Sequence, residues 1–324
     1  MTALFEIEPN LLGNHEALVA PMARVHASIA AVAAGCAEGR AWLDDEIAPT
    51  VALIEGPEGT YLLGAPRDEA GARAIADILH DWVYLHVEPH MADVILTALP
   101  NPYMVRHRRL AYRLRPDDHI MDVPDGLTLA ADPDGIGYRL FNGRRSIGHC
   151  LPDLKVRTRS EIGIWVDPEY RRRGVGTLLV GATLRAAYGA GITDIGWHCH
   201  ASNQGSAAIA RKFAVGNPVE TLAYSASLPA ENVGDLEPAE CRDLAAHFES
   251  GARQIGWLRF HAACGWALAG DEVAALDAVE RLVAGGWHGQ AEWLTGHWAL
   301  RALGDHQRFR AAVETLKKQK TPPG

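Results

Sequence analysis

The sequence predicts a mixed α/β (α+β) protein, a sheet flanked by helices, that ends in an all-α tail. Three observations predict this class. Strand-like and helix-like patterns alternate from residue 51 to residue 115. The dipeptide Asn142-Gly143, which favours tight hairpins, lies between two strand-like runs. From Leu236 onward the hydrophobic periodicity is helical.

Composition limits the classes of function. The chain has 324 residues, enough for two or three compact units. Its formal charge of −9 argues against a general nucleic-acid binder, which would carry a basic face. No apolar run approaches the roughly 20 residues that cross a bilayer, so no membrane partner is expected. Five scattered cysteines and the lack of a signal-like segment predict reduced thiols and a cytoplasmic location.

Two Pro-, Asp- or Ser-rich stretches divide the chain into three predicted domains. The stretches are "RPDDHIMDVPDG" and "SASLPAENVG". The domains are an α/β lobe over 1–118, a second α/β domain over 119–230 and a helical domain over 236–324. In the first lobe, the predicted order is strands in "VALIEG" and "TYLLGAP", a helix in "DEAGARAIADILHDWV", then strand, helix and strand in "VYLHVEP", "MADVILTAL" and "MVRHRRLAYRL".

The second domain begins with strands and continues with two helices. The strands are "YRLFNGR", "SIGHCLPDLKVR" and "EIGIWVDP". A helix follows in which Val175, Leu178, Leu179, Ala182 and Ala186 form one apolar stripe. The strand "DIGWHCH" and the helix "NQGSAAIARKFAV" complete the pattern.

The tail is predicted to be helical and similar to a repeat. The segment "WLRFHAACGWALAGDEVAALDAVERLVAGGW" reads as two helices broken at Gly270-Asp271, and it resembles the helix pair of a tetratricopeptide repeat. The segment "LRALGDHQRFRAAVETL" resembles the helix that closes such arrays. Because one pair cannot bury its own apolar face, we expect it to pack on the rest of the chain or on another subunit.

The segment "DPEYRRRGVGTLL", residues 167–179, predicts an anion site. A strand leads into a turn with Gly174 and Gly176 and then into a helix, so several main-chain N–H groups lack helical partners. These donors and the positive end of the helix dipole favour phosphate. A side chain at either glycine would block that approach. The alternatives are a tight structural turn and, for Arg171 to Arg173, a solvated surface.

These motifs resemble the GNAT superfamily of acyl-CoA N-acyltransferases. The spacing Arg171-x-x-Gly174-x-Gly176 matches the superfamily's (Gln/Arg)-x-x-Gly-x-(Gly/Ala) signature. Within it, "EIGIWVDPEYRRRGVGTLL" followed by "WHCHASNQGSAAIARKF" looks like the branch of zwittermicin-type self-resistance acetyltransferases. The resemblance covers roughly residues 125–228. It implies the GNAT fold, with a mixed, mostly antiparallel sheet, and a degenerate GNAT-like lobe in the preceding half.

The resemblance also implies acetyl-CoA as acyl donor and assigns the residues that bind it. The main-chain amides of Arg172, Arg173, Gly174, Val175, Gly176 and Thr177 would hold the pyrophosphate, and the side chains of Arg171, Arg172 and Arg173 would assist them. The backbone of Trp165 and Val166 would pair with the pantetheine arm, and Asn203 and Ser206 would fix that arm from the next helix. Asn203 also suits a plain helix N-cap.

Acyl transfer to an amine needs a base, and Glu161 is the first candidate because it lies on the strand that would carry the thioester. A glutamate at a strand start can also simply face solvent. The backbone N–H of Val166 is the candidate oxyanion donor.

The general acid is less clearly marked. Many relatives carry a tyrosine seven residues after the asparagine, where this chain has Ala210, and their Gly-Phe ending reads Ala214-Val215. Either the thiolate leaves unaided, or His200 or Tyr224 replaces the tyrosine, or catalysis is lost.

No metal is expected. In the strand His198-Cys199-His200, alternation directs Cys199 away from both histidines, which leaves too few ligands for zinc.

Three functions are therefore predicted from the sequence. The first is an acetyl-CoA-dependent N-acetyltransferase for a small-molecule amine such as an antibiotic or toxic metabolite. The second is a protein acetyltransferase whose C-terminal helices recruit a protein partner or self-associate. The third is a non-catalytic CoA-binding or scaffold protein.

Overall fold

The structure is a computed structural model that describes residues 4–93, 95–117, 121–133 and 135–320. The chain divides into two compact units. The first unit comprises Met1–His80, Tyr84–Leu99 and Arg108–Ala223, and the second comprises Asp81–Val83, Pro100–His107 and Tyr224–Gly324.

The described residues form twelve strands in one mixed sheet. The strands are β1 (Phe5–Ile7), β2 (Arg40–Leu43), β3 (Val51–Gly56), β4 (Gly59–Gly64), β5 (Leu85–Val87), β6 (Val105–Leu114), β7 (Leu127–Ala131), β8 (Tyr138–Asn142), β9 (Arg145–Val156), β10 (Arg159–Val166), β11 (Asp194–His200) and β12 (Val219–Ser225). Antiparallel pairs dominate, and the parallel pairs are β4 with β5 and β10 with β11.

The sheet consists of two similar halves whose strand orders run in opposite directions. The whole order is β1-β2-β3-β4-β5-β12-β6-β11-β10-β9-β8-β7. Each half is a series of five strands that ends in a parallel pair, β4/β5 in one and β10/β11 in the other. The strand that follows each series in space comes from the other half of the chain: β12 borders β5, and β6 borders β11.

Five helices cover the sheet of the first unit. They are α1 (Glu16–Val25), α2 (Ala27–Ala33), α3 (Glu69–Ile78), α4 (Val175–Gly189) and α5 (Gln204–Phe213). Helices α4 and α5 bury Leu178, Leu179 and Phe213 in a core with Leu140 and Trp197 of the sheet. A separate core forms around β2 to β4 under α1 and α2. Helix α2 also packs on the other half of the sheet, where Ala27 and Ala31 form a small core with Leu154 and Val156 of β9.

The parallel pair β10/β11 separates shortly after it begins. Its register covers Arg159 to Glu161 opposite Asp194 to Gly196, whereas β10 continues to Val166 and β11 to His200. The register of β10 with β9 shifts between Glu161 and Ile162, so a bulge lies at the same point. The strands diverge beyond Glu161, which leaves one edge of β10 without a β11 partner.

Two side chains of β10 hydrogen-bond to the backbone at the junction of α1 and α2. The guanidinium of Arg159 donates to the main-chain oxygens of Ala23, Arg24 and Val25, the last at 2.9 Å, where α1 ends. The carboxylate of Glu161 accepts the N–H of Ala27 at 2.6 Å, where α2 begins. Arg159 and Glu161 lie on the same face of β10 because they are two residues apart. The Arg159 cation contacts the negative end of α1, and the Glu161 anion contacts the positive end of α2.

The second unit contains five helices in the described residues. They are α6 (Pro238–Gly251), α7 (Leu258–Leu268), α8 (Glu272–Ala284), α9 (Ala291–Gly296) and α10 (Gln307–Lys320). Helix α7 packs between α6 and α8, and α8 packs on α10. A methyl group at Gly265 of α7 would lie 2.8 Å from Ala245 Cβ of α6, so this close crossing requires glycine. No helix in the described residues has both the length and the apolar character needed to cross a bilayer.

Two predicted helices differ from the structure. Over 91–99 the described residues form only 3-10 turns at Pro89–Met91 and Ile95–Thr97. The nine residues of this segment, flanked by Pro89 and Pro100, are too few to sustain a helix without strong packing. In the tail, a 3-10 segment at Trp298–Leu303 precedes α10 instead of one continuous helix, and Gly304 lies between them. Part of the predicted boundary at 115–126, residues 118–120, lies outside the described residues.

We predict that Arg159→Met destabilises the fold. The Arg159 side chain is 11% exposed and donates to three carbonyl groups, so its loss removes three hydrogen bonds, two of them partly buried. We expect a loss of about 3 kcal/mol in the free energy of unfolding, measured by urea titration. Lys155→Met, at an exposed position on β9, is the control and should change stability little. Equal stabilities of the two variants would contradict the bridging role of Arg159.

Candidate functional site

The turn between β10 and α4 is built from a capped 3-10 segment and two residues in left-handed conformation. Asp167 caps the 3-10 segment by accepting the N–H of Glu169, and the guanidinium of Arg145 holds its carboxylate at 2.6 Å. Arg172 has φ of 58° and Gly174 has φ of 84°. Such conformations turn successive N–H groups toward one point, which creates a concave anion site.

The main-chain donors of this turn are not used internally. Within the part of the chain that the structure describes, the N–H groups from Arg172 to Thr177 donate no hydrogen bond of ordinary geometry. The first helical bond of α4 runs from the N–H of Leu178 to the oxygen of Gly174. Six consecutive donors therefore lie at the positive end of a 15-residue helix. We name these six residues the cradle.

The two glycines of the cradle serve different purposes. A side chain at Gly174 would be strained by its positive φ and would come within 3.3 Å of Met121 Cε. At Gly176 the limiting neighbour is Ile209 of α5, whose Cδ1 would lie 2.6 Å from an added methyl group. Gly176 thus lies against the end of the Ile209 side chain, and room for a phosphate at this position stays a prediction.

The charged side chains around the cradle make different contacts. The Nε of Arg171 donates to the oxygen of Val166 at 3.0 Å, and the Arg173 guanidinium lies over the ring of Tyr170. Arg172 is exposed. Lys212 of α5 donates to Thr177 Oγ1 at 3.0 Å and adds a positive charge that the motif did not indicate. A lysine nine residues after a helix start carries no motif signal, so only the packing of α5 on α4 reveals it.

The residues predicted to hold a pantetheine arm lie along the diverging strands. Trp165 is 39% exposed and stacks on His149, and the oxygen of Val166 is used by Arg171. Asn203 caps α5 by accepting the N–H of Ser206 at 2.9 Å. The hydroxyl of Ser206 accepts the indole N–H of Trp197. The capping role of Asn203 is thus observed, and it leaves the binding role of both residues a prediction.

Glu161 is buried, so it does not face bulk solvent. It is 4% exposed, and its carboxylate lies 3.7 Å from His198 Nε2 and 3.9 Å from the Arg159 guanidinium. A methyl group at Gly196 would lie 3.0 Å from Glu161 Cγ, so the glycine on β11 makes room for this side chain. The carboxylate lies where β10 and β11 begin to diverge.

A second glutamate, from the first lobe, meets Glu161. Glu58 lies in the turn between β3 and β4 and hydrogen-bonds to the Glu161 side chain. Burial and the Glu161 charge raise the pKa of Glu58 to about 9. Burial opposes ionisation of Glu161, but His198, Glu58, the Ala27 N–H and Arg159 together lower its pKa. The pKa values of the two carboxyl groups are therefore displaced in opposite directions, upward for Glu58 and downward for Glu161.

Several buried rings surround this carboxyl pair. His26 lies 5.0 Å from Tyr61, 4.7 Å from His86 and 4.8 Å from His198, measured between ring centroids. Burial lowers the pKa of His26 and of His198, so both imidazoles are neutral. His198 Nε2 lies 3.2 Å from the oxygen of Val25, which fixes its proton on that nitrogen. The sequence did not indicate this cluster because its members lie on five separate segments.

The three candidates for a general acid lie in different environments. His200 is buried beside Tyr84 and Arg109, and burial with the Arg109 charge lowers its pKa to about 3. A neutral imidazole of this kind is a poor proton donor, which argues against His200 as the acid. Tyr224 is buried on β12 and belongs to the second unit. Ala210 is fully buried in the core of α5, where a tyrosine would not fit.

The alternation predicted for β11 agrees with the structure. Cys199 is buried in the core under α4, whereas His198 contacts Glu161 on the opposite face. No group of three or more metal-ligating side chains occurs among the residues described.

Comparisons with known proteins match one part of the chain. Residues 95–214 match the model of the Acetyltransferase (GNAT) family. No curated protein matches the chain.

Solved structures resemble the chain at low sequence identity. A GCN5-related N-acetyltransferase-like protein from Streptococcus suis 89/1591 is 14% identical, with a TM-score of 0.48, over 67% of this chain and 98% of that one. A GCN5-related N-acetyltransferase from Sphaerobacter thermophilus is 12% identical, with a TM-score of 0.48, over 68% and 95%. A tandem GNAT protein from the clavulanic acid biosynthesis pathway is 14% identical, with a TM-score of 0.45, over 68% and 96%.

The family match spans β6 to α5 and includes both the cradle and Glu161. Residues 95–214 therefore form an acetyltransferase domain of the GNAT family, with the GNAT fold predicted for it.

Proposed function

We propose that this protein is an acetyl-CoA-dependent N-acetyltransferase that acts on a small-molecule amine. The observation that carries the proposal is the cradle: six main-chain donors without internal partners at the start of α4, next to an open edge of β10. A diphosphate satisfies such donors, and the free strand edge suits the amides of a pantetheine arm. Trp165, Val166, Asn203 and Ser206 are the residues that would line that arm.

The chemistry assigned to the site is direct transfer. The amine attacks the thioester carbonyl, its C–N bond forms, and the C–S bond breaks to release CoA thiolate. Glu161, ionised at neutral pH, accepts the amine proton directly or through one water. With Ala210 in the core and His200 neutral, the thiolate leaves unaided and takes its proton from solvent.

The oxyanion donor must lie closer to Glu161 than Val166 does. Four residues of strand lie between Glu161 and Val166, so the two are about 16 Å apart along β10. One thioester carbonyl cannot contact groups that far apart. We therefore assign the donor to a main-chain N–H of β10 between residues 162 and 165, and we assign Val166 to the pantetheine arm.

The first lobe is proposed to be a degenerate GNAT-like copy that does not bind CoA. The strands of this lobe are arranged in their half of the sheet as those of the second domain are in the other half. At the helix that corresponds to α4, however, the Asp68 carboxylate accepts the N–H of Gly71, and Glu69 follows in the first turn. The Asp68 carboxylate thus occupies a main-chain donor that a phosphate would need. Asp68 and Glu69 would also repel a phosphate at this helix start.

The resemblance to zwittermicin-type self-resistance acetyltransferases favours a toxic small molecule, such as an antibiotic, as the acceptor. Glu58, Tyr61 and His26, which come from the first lobe, border Glu161. The acceptor specificity is therefore proposed to depend on both halves of the chain.

A variant pair at Gly174 tests the cradle. Both Gly174→Ala and Gly174→Glu place an L side chain at positive φ, so each should lose about 1 kcal/mol of stability. Only the glutamate adds a carboxylate where the diphosphate binds. We expect acetyl-CoA to raise the melting temperature of the wild type and the alanine variant and to leave the glutamate variant unchanged. Equal shifts in both variants would contradict the cradle assignment.

Glu161→Gln tests the base. The substitution keeps the size of the side chain and removes the proton acceptor, so turnover should fall about 100-fold or more while the KM for acetyl-CoA stays the same. The measurement is CoA thiol release with a panel of amines, with Glu220→Gln, at a partly exposed site, as control. A calorimetric scan verifies that the variant is folded. Full activity in a folded Glu161→Gln variant would exclude the base assignment.

A second candidate is a protein acetyltransferase with a tetratricopeptide-like tail that holds its target or a second copy of the chain. The observation that favours it is an open cavity of about 540 Å³ in the second unit. Trp257, Trp287 and Trp293 line it, and Trp293 is 55% exposed, so an aromatic surface is open to a partner. Trp293→Ala should impair acetylation of a protein target and spare that of a small amine.

The third candidate, a non-catalytic CoA-binding protein, has a distinct signature. It predicts an acetyl-CoA thermal shift in the wild type and no thiol release with any amine of the panel.

A further inference from the structure

We propose that the open cavity of the second unit binds a small aromatic anion, such as an aromatic carboxylate, independently of acetyl transfer. The cavity has a volume of about 540 Å³, which is within the range of small-molecule sites. All the residues that line it belong to the second unit, and none belongs to residues 95–214, the acetyltransferase domain. A ligand in this cavity needs none of the residues that are proposed to bind acetyl-CoA.

Two of the three indole rings at the cavity are fixed by neighbouring groups. The Trp287 ring stacks on Phe260, with 5.5 Å between the ring centroids and 21° between the planes. A methyl group at Gly289 would overlap the Trp287 ring, so only glycine fits where the chain passes it. The indole N–H of Trp257 donates to the Asp81 carboxylate at 3.1 Å. The aromatic walls are therefore preformed, which lowers the entropy cost of binding a flat apolar ligand.

The third indole ring is exposed beside these walls. Trp293 lies 6.0 Å from Trp287, measured between ring centroids, and the two planes are tilted by 59°. Trp293 is 55% exposed, and the buried Leu282 adds apolar surface to the lining. Rings tilted in this way can contact both the face and the edge of an aromatic ligand. Binding such a ligand would also cover an apolar side chain that is otherwise in water.

The charged groups at the cavity favour an anionic ligand. The titratable side chains of its lining are Arg259 and His288, and no carboxylate lines it among the described residues. The Nε of Arg259 is buried and donates no hydrogen bond within that part of the chain. The Glu249 carboxylate lies 3.9 Å from this Nε and 3.2 Å from the Arg281 guanidinium. One carboxylate thus faces two guanidinium groups, which leaves one positive charge in excess.

A cationic ligand is the alternative that the aromatic lining alone would allow, because the faces of indole rings attract cations. The positive charge of Arg259 opposes such a ligand. A carboxylate can instead accept the Arg259 Nε–H in a charge-assisted hydrogen bond while its ring packs on the indoles. A flat ring with an anionic group therefore satisfies both the aromatic walls and the unused donor.

Calorimetric titration of the full chain with three naphthalene probes of similar size tests the assignment. The probes are anionic 2-naphthoate, neutral 2-naphthalenemethanol and cationic 2-naphthylmethylammonium. We expect 2-naphthoate to bind about tenfold more tightly than the other two, because only its carboxylate accepts the Arg259 donor. Absence of 2-naphthoate binding, or equal or tighter binding of the neutral or the cationic probe, would overturn the proposal.

Variants of the lining locate the bound probe. Arg259→Met should weaken 2-naphthoate binding about tenfold and leave the binding of the neutral probe unchanged. Arg259→Lys keeps the charge and should recover part of the affinity. Trp293→Ala should weaken both probes, because it removes aromatic contact area. Arg301→Met, at an exposed arginine outside the cavity, is the matched control and should bind 2-naphthoate as the wild type does.

Melting curves verify that each variant is folded. If Arg259→Met does not fold, the comparison of the three probes and the variant at the exposed Trp293 still decide the question. Unchanged 2-naphthoate affinity in both Arg259→Met and Trp293→Ala would place the probe elsewhere and refute the site. None of these outcomes depends on thiol release, so they are distinct from a failure of the proposed acetyltransferase function.

Discussion

The site depends on the contact of two β10 side chains with the backbone at the junction of α1 and α2. Arg159 and Glu161 lie on one face of the strand, and between them they satisfy the carbonyl end of α1 and the amide end of α2. Each charge meets the helix end of opposite sign. The same contact that fixes the first lobe on the acetyltransferase domain also removes Glu161 from water and gives it four polar neighbours. Structural attachment and the ionisation of the proposed base thus come from one pair of side chains.

The site is divided between backbone and side-chain functions. Main-chain N–H groups at the start of α4 form the proposed anion-binding end, where Gly174 adopts the left-handed turn and Asp167 caps the preceding 3-10 segment. Side chains from β4, β10, β11 and the β3–β4 turn form the other end, around Glu161. The divergence of β10 from β11 connects the two ends. This arrangement explains why the motif of the domain is short and why it says little about the acceptor.

The sequence was sufficient for the local features and insufficient for those that depend on the joining of distant segments. The cradle, α4 with its apolar stripe, and the alternation at Cys199 follow from patterns within a few residues. Glu58, His26 and Lys212 carry no such pattern, because their roles arise from contacts across the sheet or between helices. The helix predicted over 91–99 does not form in the described residues, for the opposite reason. Its local pattern was adequate, but the flanking prolines and the short length prevented it. Gly176 was found by the motif, whereas its contact with the Ile209 side chain could be seen only in the fold.

The exchange of β6 and β12 has a consequence for biosynthesis. The edge of β5 in the first half is covered by a strand that begins at Val219, so a nascent chain emerging from the ribosome cannot close its leading half early. That edge stays available for association with other chains until two thirds of the polypeptide has been made. The protein should therefore rely on chaperones during translation more than its modest size implies.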